Sequence, residues 1–182
     1  MDLSPFSLAG KKVLITGGGR GIGRACAEAM AQAGADLTIT SRTQEQLDQT
    51  AAAITARGGR VSTCRCDIAD AEASAKLSEE IGQLDVLVNN AGISPVYQRA
   101  ERMNNEAWEK ILDLNLNSVF RLTRSIGSQM MQNGGGAIIN MTSIGASLAL
   151  PKLWAYSASK AALTSLTQVL AVEWAALGIR VN

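Results

Sequence analysis

The chain has 182 residues, 47% hydrophobic and 18% charged, which suits a soluble globular protein with a substantial core. Seventeen basic against sixteen acidic side chains leave a formal net charge of +1, and no basic run is present to hold nucleic acid or an anionic membrane. Histidine is absent, which excludes a Ser-His-Asp triad, a Cys-His pair and any histidine metal site, so proton transfer falls to Tyr, Lys, Asp, Glu or Cys.

Short β-branched runs alternate with longer amphipathic segments, the pattern of repeated βαβ units around a parallel sheet. KKVLIT (11–16) predicts a first strand and 21–33 a helix; ADLTIT (35–40) predicts a second strand, followed by a polar helix over 44–57 that Gly58-Gly59 stops. RVSTCRC (60–66) reads as strand three, and Asp70 is placed to cap a helix running to about Glu80. LDVLVN (84–89) is strand four. A loop from Ala91 to about Asn105, with Pro95 and Tyr97, is placed to form a pocket rim. One long helix is expected over 106–132, its apolar surface (Trp108, Ile111, Leu112, Leu114, Leu116, Val119, Phe120, Leu122) wide enough for core and partner contacts. GGGAIINMTS (134–143) supplies a glycine break and strand five; a last helix over 154–176 follows Pro151 and ends at Gly178, and GIRVN opens strand six. With no repeat or linker, residues 1–182 read as one doubly wound Rossmann-type α/β domain, a parallel sheet flanked by helices on both faces.

No apolar run approaches the roughly 18 residues that span a bilayer, and the N-terminus lacks a charged region followed by an apolar one, so a cytoplasmic location is expected. Cys26, Cys64 and Cys66 are odd in number, and the last two form CxC rather than CxxC. They read as buried reduced thiols, with no disulfide framework and no metal knuckle. Asn140-Met141-Thr142 fits a glycosylation sequon but ends an apolar run, where a strand is the simpler reading.

TGGGRGIG, Thr16 to Gly23, follows a strand and opens a helix. Glycines there let the backbone turn tightly and approach a pyrophosphate, whose charge the helix N-terminus and its free N–H groups stabilise. The spacing of Gly17, Gly21 and Gly23 is GxxxGxG rather than GxGxxG. Strand two ends in Thr40-Ser41-Arg42, without the carboxylate that would bind an NAD ribose, and Arg42 with Arg20 suits a 2′-phosphate, which favours NADP over NAD. Solvated surface arginines are the alternative. Asn89 to Gly92, NNAG, would satisfy backbone groups and leave room for the adenine ribose, or simply form a turn. Asp67 either accepts from an adenine amino group or caps a turn.

YSASK places Tyr156 and Lys160 at i and i+4 of a helix, on one face. A free tyrosine titrates near pH ~10, and an adjacent cation stabilises the phenolate, which makes the pair a candidate acid-base group. Gly17, Arg42, Asp67, Asn89 and Ser143 follow the ends of successive strands, so they converge on the rim where parallel sheets bind ligands. Ser143 has the reach to bond a carbonyl oxygen beside the phenol, or merely ends its strand. Trp154 either lines the site or packs in the core.

TGGGRGIG, NNAG, Ser143 and YSASK together resemble the short-chain dehydrogenase/reductase family, in its order and across nearly all of the chain. The resemblance implies hydride transfer between NADP(H) and a carbonyl or secondary alcohol, with no metal. Tyr156 would be the general acid in reduction and base in oxidation, Lys160 would lower its pKa and hold the nicotinamide ribose, Ser143 would orient the substrate oxygen, and Asn115 (in WEKILDLN, 108–115) would support a water-linked proton path to Lys160. Cofactor contacts are implied for Gly17, Gly19, Arg20, Gly21, Ile22, Gly23, Ser41, Arg42, Asp67, Ile68, Asn89, Ala91, Gly92, Tyr156 and Lys160.

Family members continue beyond the IRVN that ends this sequence, through a substrate-covering segment and a further strand, so the final strands of the fold are expected to be missing here. A non-catalytic nucleotide-binding or scaffold module is the second reading on that ground. The partners expected are a small-molecule carbonyl or alcohol and further copies of the chain, a dimer or tetramer joined through the two long helices by residues such as Leu163, Leu166, Val169, Leu170 and Trp174.

Overall fold

The structure is a computed structural model that describes residues 6–94 and 97–182. Pro95, assigned above to a pocket rim, lies outside them. Six strands, β1 (Lys12–Thr16), β2 (Asp36–Ser41), β3 (Arg60–Arg65), β4 (Val86–Asn89), β5 (Gly136–Asn140) and β6 (Ile179–Val181), form one parallel sheet in the order β3-β2-β1-β4-β5-β6. The chain starts in the middle at β1, builds outward to β3, then returns to β4 beside β1, pairing Val13 with Val86 and Ile15 with Val88. The order reverses between β1 and β4. Such a switch point opens a crevice at the carboxyl ends of the strands, because the connections on its two sides diverge.

Among the described residues six α-helices cover the sheet: α1 (Gly21–Gln32), α2 (Gln44–Thr55), α3 (Ala71–Ile81), α4 (Asn105–Leu112), α5 (Ser118–Gln132) and α6 (Trp154–Trp174). Alternate residues of β1 point to opposite faces, so Leu14 joins Leu87, Leu122, Ile126 and Ile138 in one core, while Val13 and Ile15 join Ala27, Ile39, Leu47 and Ile54 in the other. Each such leucine, isoleucine or valine contributes about 1.5–3 kcal/mol on burial, which is why strands covered on both faces read as continuous apolar runs.

Asp70 caps α3, its carboxylate accepting from Glu72 N and Ala73 N at 2.9 and 3.1 Å. Gly178 takes φ 74° after a 3-10 turn that follows α6, which ends at Trp174 rather than 176. The expected helix over 106–132 is three pieces: α4, a π turn over Asp113–Asn117, and α5. The π turn adds one residue to the helical circuit and so re-aims the side chains around it without breaking the rod. β5 ends at Asn140, so Ser143 stands beyond the strand, where its Oγ accepts from Gly145 N at 3.1 Å and opens a 3-10 turn. All three cysteines are free, but only Cys66 is fully buried; Cys26 and Cys64 are partly exposed. Among the described residues no helix is long and apolar enough to cross a membrane.

Candidate active site

A cleft of about 610 Å³ opens at the carboxyl ends of β1 to β4. Its floor is the turn after β1. Gly17 sits at φ 67°, and a β-carbon there would lie 2.8 Å from Asn90 Nδ2 and 3.0 Å from Ala91 Cα, so only glycine lets the turn press against the end of β4. Asn90 Nδ2 donates to Thr16 O and Gly17 O at 2.9 and 3.2 Å, while Thr16 Oγ1 accepts from Asn90 N and Ala91 N, both at 3.0 Å. Gly19, Arg20, Gly21 and Ile22 form the wall above. Arg20, the residue before α1, is extended and offers no side-chain cap, so the first N–H groups of a twelve-residue helix have no side-chain acceptor. Such an end attracts phosphate.

At the far side, Ser41, Arg42, Asp67 and Ile68 line the cleft, joined by Thr43, Gln46 and Cys66. Arg42 keeps its guanidinium more than half exposed, 3.8 Å from the Asp67 carboxylate. Asp67 also accepts from Ala69 N at 3.1 Å, so it both caps a turn and faces the cleft. Arg65 Nε donates to Arg42 O at 3.2 Å. Burial among apolar neighbours pushes the Cys66 thiol up to about 11, which leaves it protonated beside the cleft.

The near end of the cleft is Ala91, Gly92, Ile93 and Leu114. Gly92 connects it to the second group of expected residues, because a β-carbon on Gly92 would stand 3.2 Å from Asn115 Oδ1 and 3.6 Å from Lys160 Nζ. Asn115, fully buried within the π turn, accepts from Ile93 N at 2.8 Å and donates to Ile93 O at 2.9 Å and to Ser159 Oγ at 3.1 Å. Ser159 Oγ in turn donates to Tyr156 O at 2.7 Å. Lys160 is only 5% exposed; its ammonium donates to Met141 O at 2.6 Å and lies 5.9 Å from the centre of the Tyr156 ring. Burial lowers its pKa from 10.5 to about 8. Tyr156 is half-buried in the first turn of α6.

Four expected cofactor contacts, Asn89, Gly23, Tyr156 and Lys160, do not line the cleft. Asn89 turns away from the cleft and is 1% exposed, with Nδ2 donating to Thr123 Oγ1 and Asn140 Oδ1 at 2.9 and 2.8 Å; adjacent residues of a strand face opposite ways, and it is Asn90 that meets the cleft. Gly23 does not line the cleft either. A β-carbon there would fall 2.2 Å from Gly17 O, so its bare backbone lets α1 pack on the turn. Tyr156, Lys160, Ser143 and Asn115 lie outside the cleft's lining, with Asn115 and Lys160 immediately beyond Gly92. Trp154 stacks on Trp108 at 5.0 Å, closing α6 against α4. Asn90 satisfies backbone groups as the NNAG motif predicts, whereas Thr16 and Ser159 carry no expected role, although a buried hydroxyl beside a motif glycine or lysine signals one.

A parallel doubly wound sheet with a glycine turn at its switch point defines a dinucleotide-binding architecture. The sequence profile described as short chain dehydrogenase matches residues 11–182. Similar proteins include a 2-dehydro-3-deoxy-D-gluconate 5-dehydrogenase of Bacillus subtilis, 42% identical over 97% of this chain and 70% of its own, and an NAD-dependent glycerol dehydrogenase of Listeria innocua, 38% identical over 97% and 70%. A crystal structure of a gluconate 5-dehydrogenase from Burkholderia cenocepacia in complex with NADP and tartrate superposes with a TM-score of 0.92 at 33% identity, over 99% of this chain and 72% of that one. The chain belongs to the short-chain dehydrogenase/reductase family, a family of oxidoreductases on a nucleotide-binding fold.

Proposed function

We propose that the protein interconverts a carbonyl compound and a secondary alcohol with NADP(H), and that Tyr156 is its general acid and base. The observation that carries this reading is the buried Lys160 ammonium, fixed by Met141 O, 5.9 Å from the Tyr156 ring and one glycine away from the nucleotide cleft. The cleft fits a dinucleotide: its turn excludes β-carbons at Gly17, the α1 N-terminus is uncapped, and Arg42 presents a half-free guanidinium where β2 ends without a carboxylate. Gly17 to Ile22 would hold the pyrophosphate, Arg42 and Arg20 a 2′-phosphate, and Asp67 with Ile68 the adenine.

The bound nucleotide supplies or accepts the hydride. In oxidation the Tyr156 oxygen takes the hydroxyl proton as the carbon–hydrogen bond breaks; in reduction it returns that proton to the carbonyl oxygen. The Lys160 cation offsets the negative charge on the phenol oxygen between those events, and its anchored position spares it reorganisation during reaction. Ser143, on the turn after β5, orients the substrate oxygen. Asn115 holds the Gly92–Ile93 backbone against α6, so the cleft end and the phenol keep a constant spacing. Free thiols suit a cytoplasmic setting. Exposed Phe120 on α5 with Val169 and Val172 on α6 supports association of two copies through these helices, whereas Leu163 and Leu170 face the core.

The test follows NADPH absorbance across a panel of carbonyl compounds for the parent and Tyr156→Phe. A loss of about a hundredfold or more in kcat with little change in NADPH affinity is expected from removing an acid-base group. Equal rates in parent and variant would remove the phenol from the mechanism.

A further inference from the structure

The turn that feeds α6 breaks several local rules at once. Lys152 is the one non-glycine residue described with a positive φ, 68°. Leu153, the residue before α6, offers no side-chain cap, and Trp154 Nε1 and Ser157 Oγ are buried without hydrogen-bond partners. A left-handed lysine, an uncapped helix and two orphaned polar atoms within six residues are each unfavourable for folding. Departures of this kind cluster where function over-determines the backbone. Here they surround Tyr156.

What this strained turn presents is the Lys152 ammonium. Gln98 N donates to Lys152 O at 3.2 Å, and Lys152 Nζ stands 5.2 Å over the Tyr97 ring, so the loop after β4 grips both the backbone and the side chain. A cation–π contact at an exposed site is comparable with the strain of a left-handed lysine, so the two offset one another and stability does not account for the arrangement. Among the described residues no carboxylate lies within ion-pair distance of Lys152. The whole stretch from Met141 to Lys160, which carries Ser143 and Tyr156, contains two lysines and no acidic residue. The ring holds the ammonium of Lys152, an exposed residue, at a defined place beside the loop after β4.

We infer that Lys152 is a specificity-determining residue that reads a carboxylate on the substrate, so the protein acts on hydroxy acids and the corresponding keto acids in preference to neutral polyols. The inference rests on the oxidoreductase reading above, since it places the carboxylate on the molecule whose hydroxyl meets Tyr156. The ammonium is a compact point charge on the loop joining Ser143 to the phenol, four residues from Tyr156, and an ionised partner makes its hydrogen bond a strong one. A neutral alcohol of the same length offers that cation no anionic partner.

The experiment is a calorimetric titration of the NADPH-loaded protein with matched pairs: glycerate and glycerol, erythronate and erythritol, gluconate and glucitol. With reduced cofactor and an alcohol no turnover occurs, so binding alone is read. At least one acid should bind about tenfold or more tightly than its neutral partner. Lys152→Met and Lys152→Gly, the second of which also relieves the backbone, should bring that pair to within about twofold, and Lys152→Arg should keep the preference. Parity within every pair in the parent, or a preference that survives both Lys152→Met and Lys152→Gly, overturns the inference. Tyr156→Phe separates the two claims: it should retain the acid preference in this titration, whereas NADPH oxidation by it at the parental rate defeats the oxidoreductase reading and not the binding result.

Discussion

Replacing Lys160 with methionine should make the folded protein more stable at neutral pH while removing activity. Burial holds the Lys160 pKa at about 8 against 10.5 for a free lysine. Between those values the unfolded chain holds a proton that the folded chain has released, so stability attributable to Lys160 rises with pH across that window; below about pH 8 both states are charged and the folded one bears the full cost. The fall from 10.5 to about 8 corresponds to roughly 3 kcal/mol. Methionine has similar length and no charge, but it leaves Met141 O without its donor at 2.6 Å, a loss of about 1 kcal/mol. The net expectation is a variant more stable by about 2 kcal/mol at pH ~7, or about 4 to 8 °C in Tm for a chain of this size. Its advantage should shrink above pH ~8 and reverse near pH ~10. Urea unfolding followed by tryptophan fluorescence at pH 6, 7, 8, 9 and 10, roughly spanning the window, reads both the size and the slope. A variant less stable than the parent at pH 7, or a difference that stays constant from about pH 7 to 10, would refute the idea that Lys160 is held at a desolvation cost.

Gly23→Ala should destabilise the protein by more than about 2 kcal/mol and weaken NADPH binding, because the new methyl meets Gly17 O at 2.2 Å and α1 must move off the turn; an unchanged melting temperature counts against that packing. Arg42→Gln should weaken NADP binding about tenfold or more and leave NAD binding within about twofold, with the NADP loss shrinking as salt is raised; equal losses for both nucleotides would place the guanidinium away from the 2′-phosphate. Val172→Glu, at a position 81% exposed on α6, should shift sedimentation of the protein toward monomer without lowering its melting temperature, and a parent that is already monomeric at working concentration defeats the association.

The strands and most helices were legible because a parallel sheet buried on both faces imposes long apolar runs, and because Asp70 and the glycine stops punctuate them. The glycine turn was legible for the same reason: strand, glycines and helix follow in order. Facing was not. Asn89 and Asn90 are chemically identical neighbours, and only the pleat of β4 decides that one holds Thr123 and Asn140 while the other holds the Gly17 turn. The π turn was equally hidden, since one additional residue between α4 and α5 leaves the apolar periodicity over 106–132 intact. Lys152 gave no sign of its φ of 68°, because its backbone is held by Gln98 and Tyr97, some fifty-four residues away in sequence, and long-range grips have no local signature.

That hidden turn explains how the site keeps its shape. In a regular α-helix Leu114 and Asn115 point about 100° apart, so a helix that turns Leu114 into the core would swing its neighbour off the contact with the β4 loop. The wider π circuit lets both be buried: Leu114 packs with Leu122 and Ile126, and Asn115 bonds Ile93 on one side and Ser159 on the other. Through Ser159 the same amide reaches the Tyr156 carbonyl. One side chain thus ties the loop that borders the nucleotide cleft to the helix that carries the phenol and the ammonium. Because Asn115 uses both ends of its amide in these bonds, the loop and the helix cannot separate without exposing or orphaning buried polar groups. The spacing between cleft and phenol is therefore set before any ligand binds. Lys160 then bears its desolvation cost at a fixed place, where the Met141 carbonyl offsets part of it.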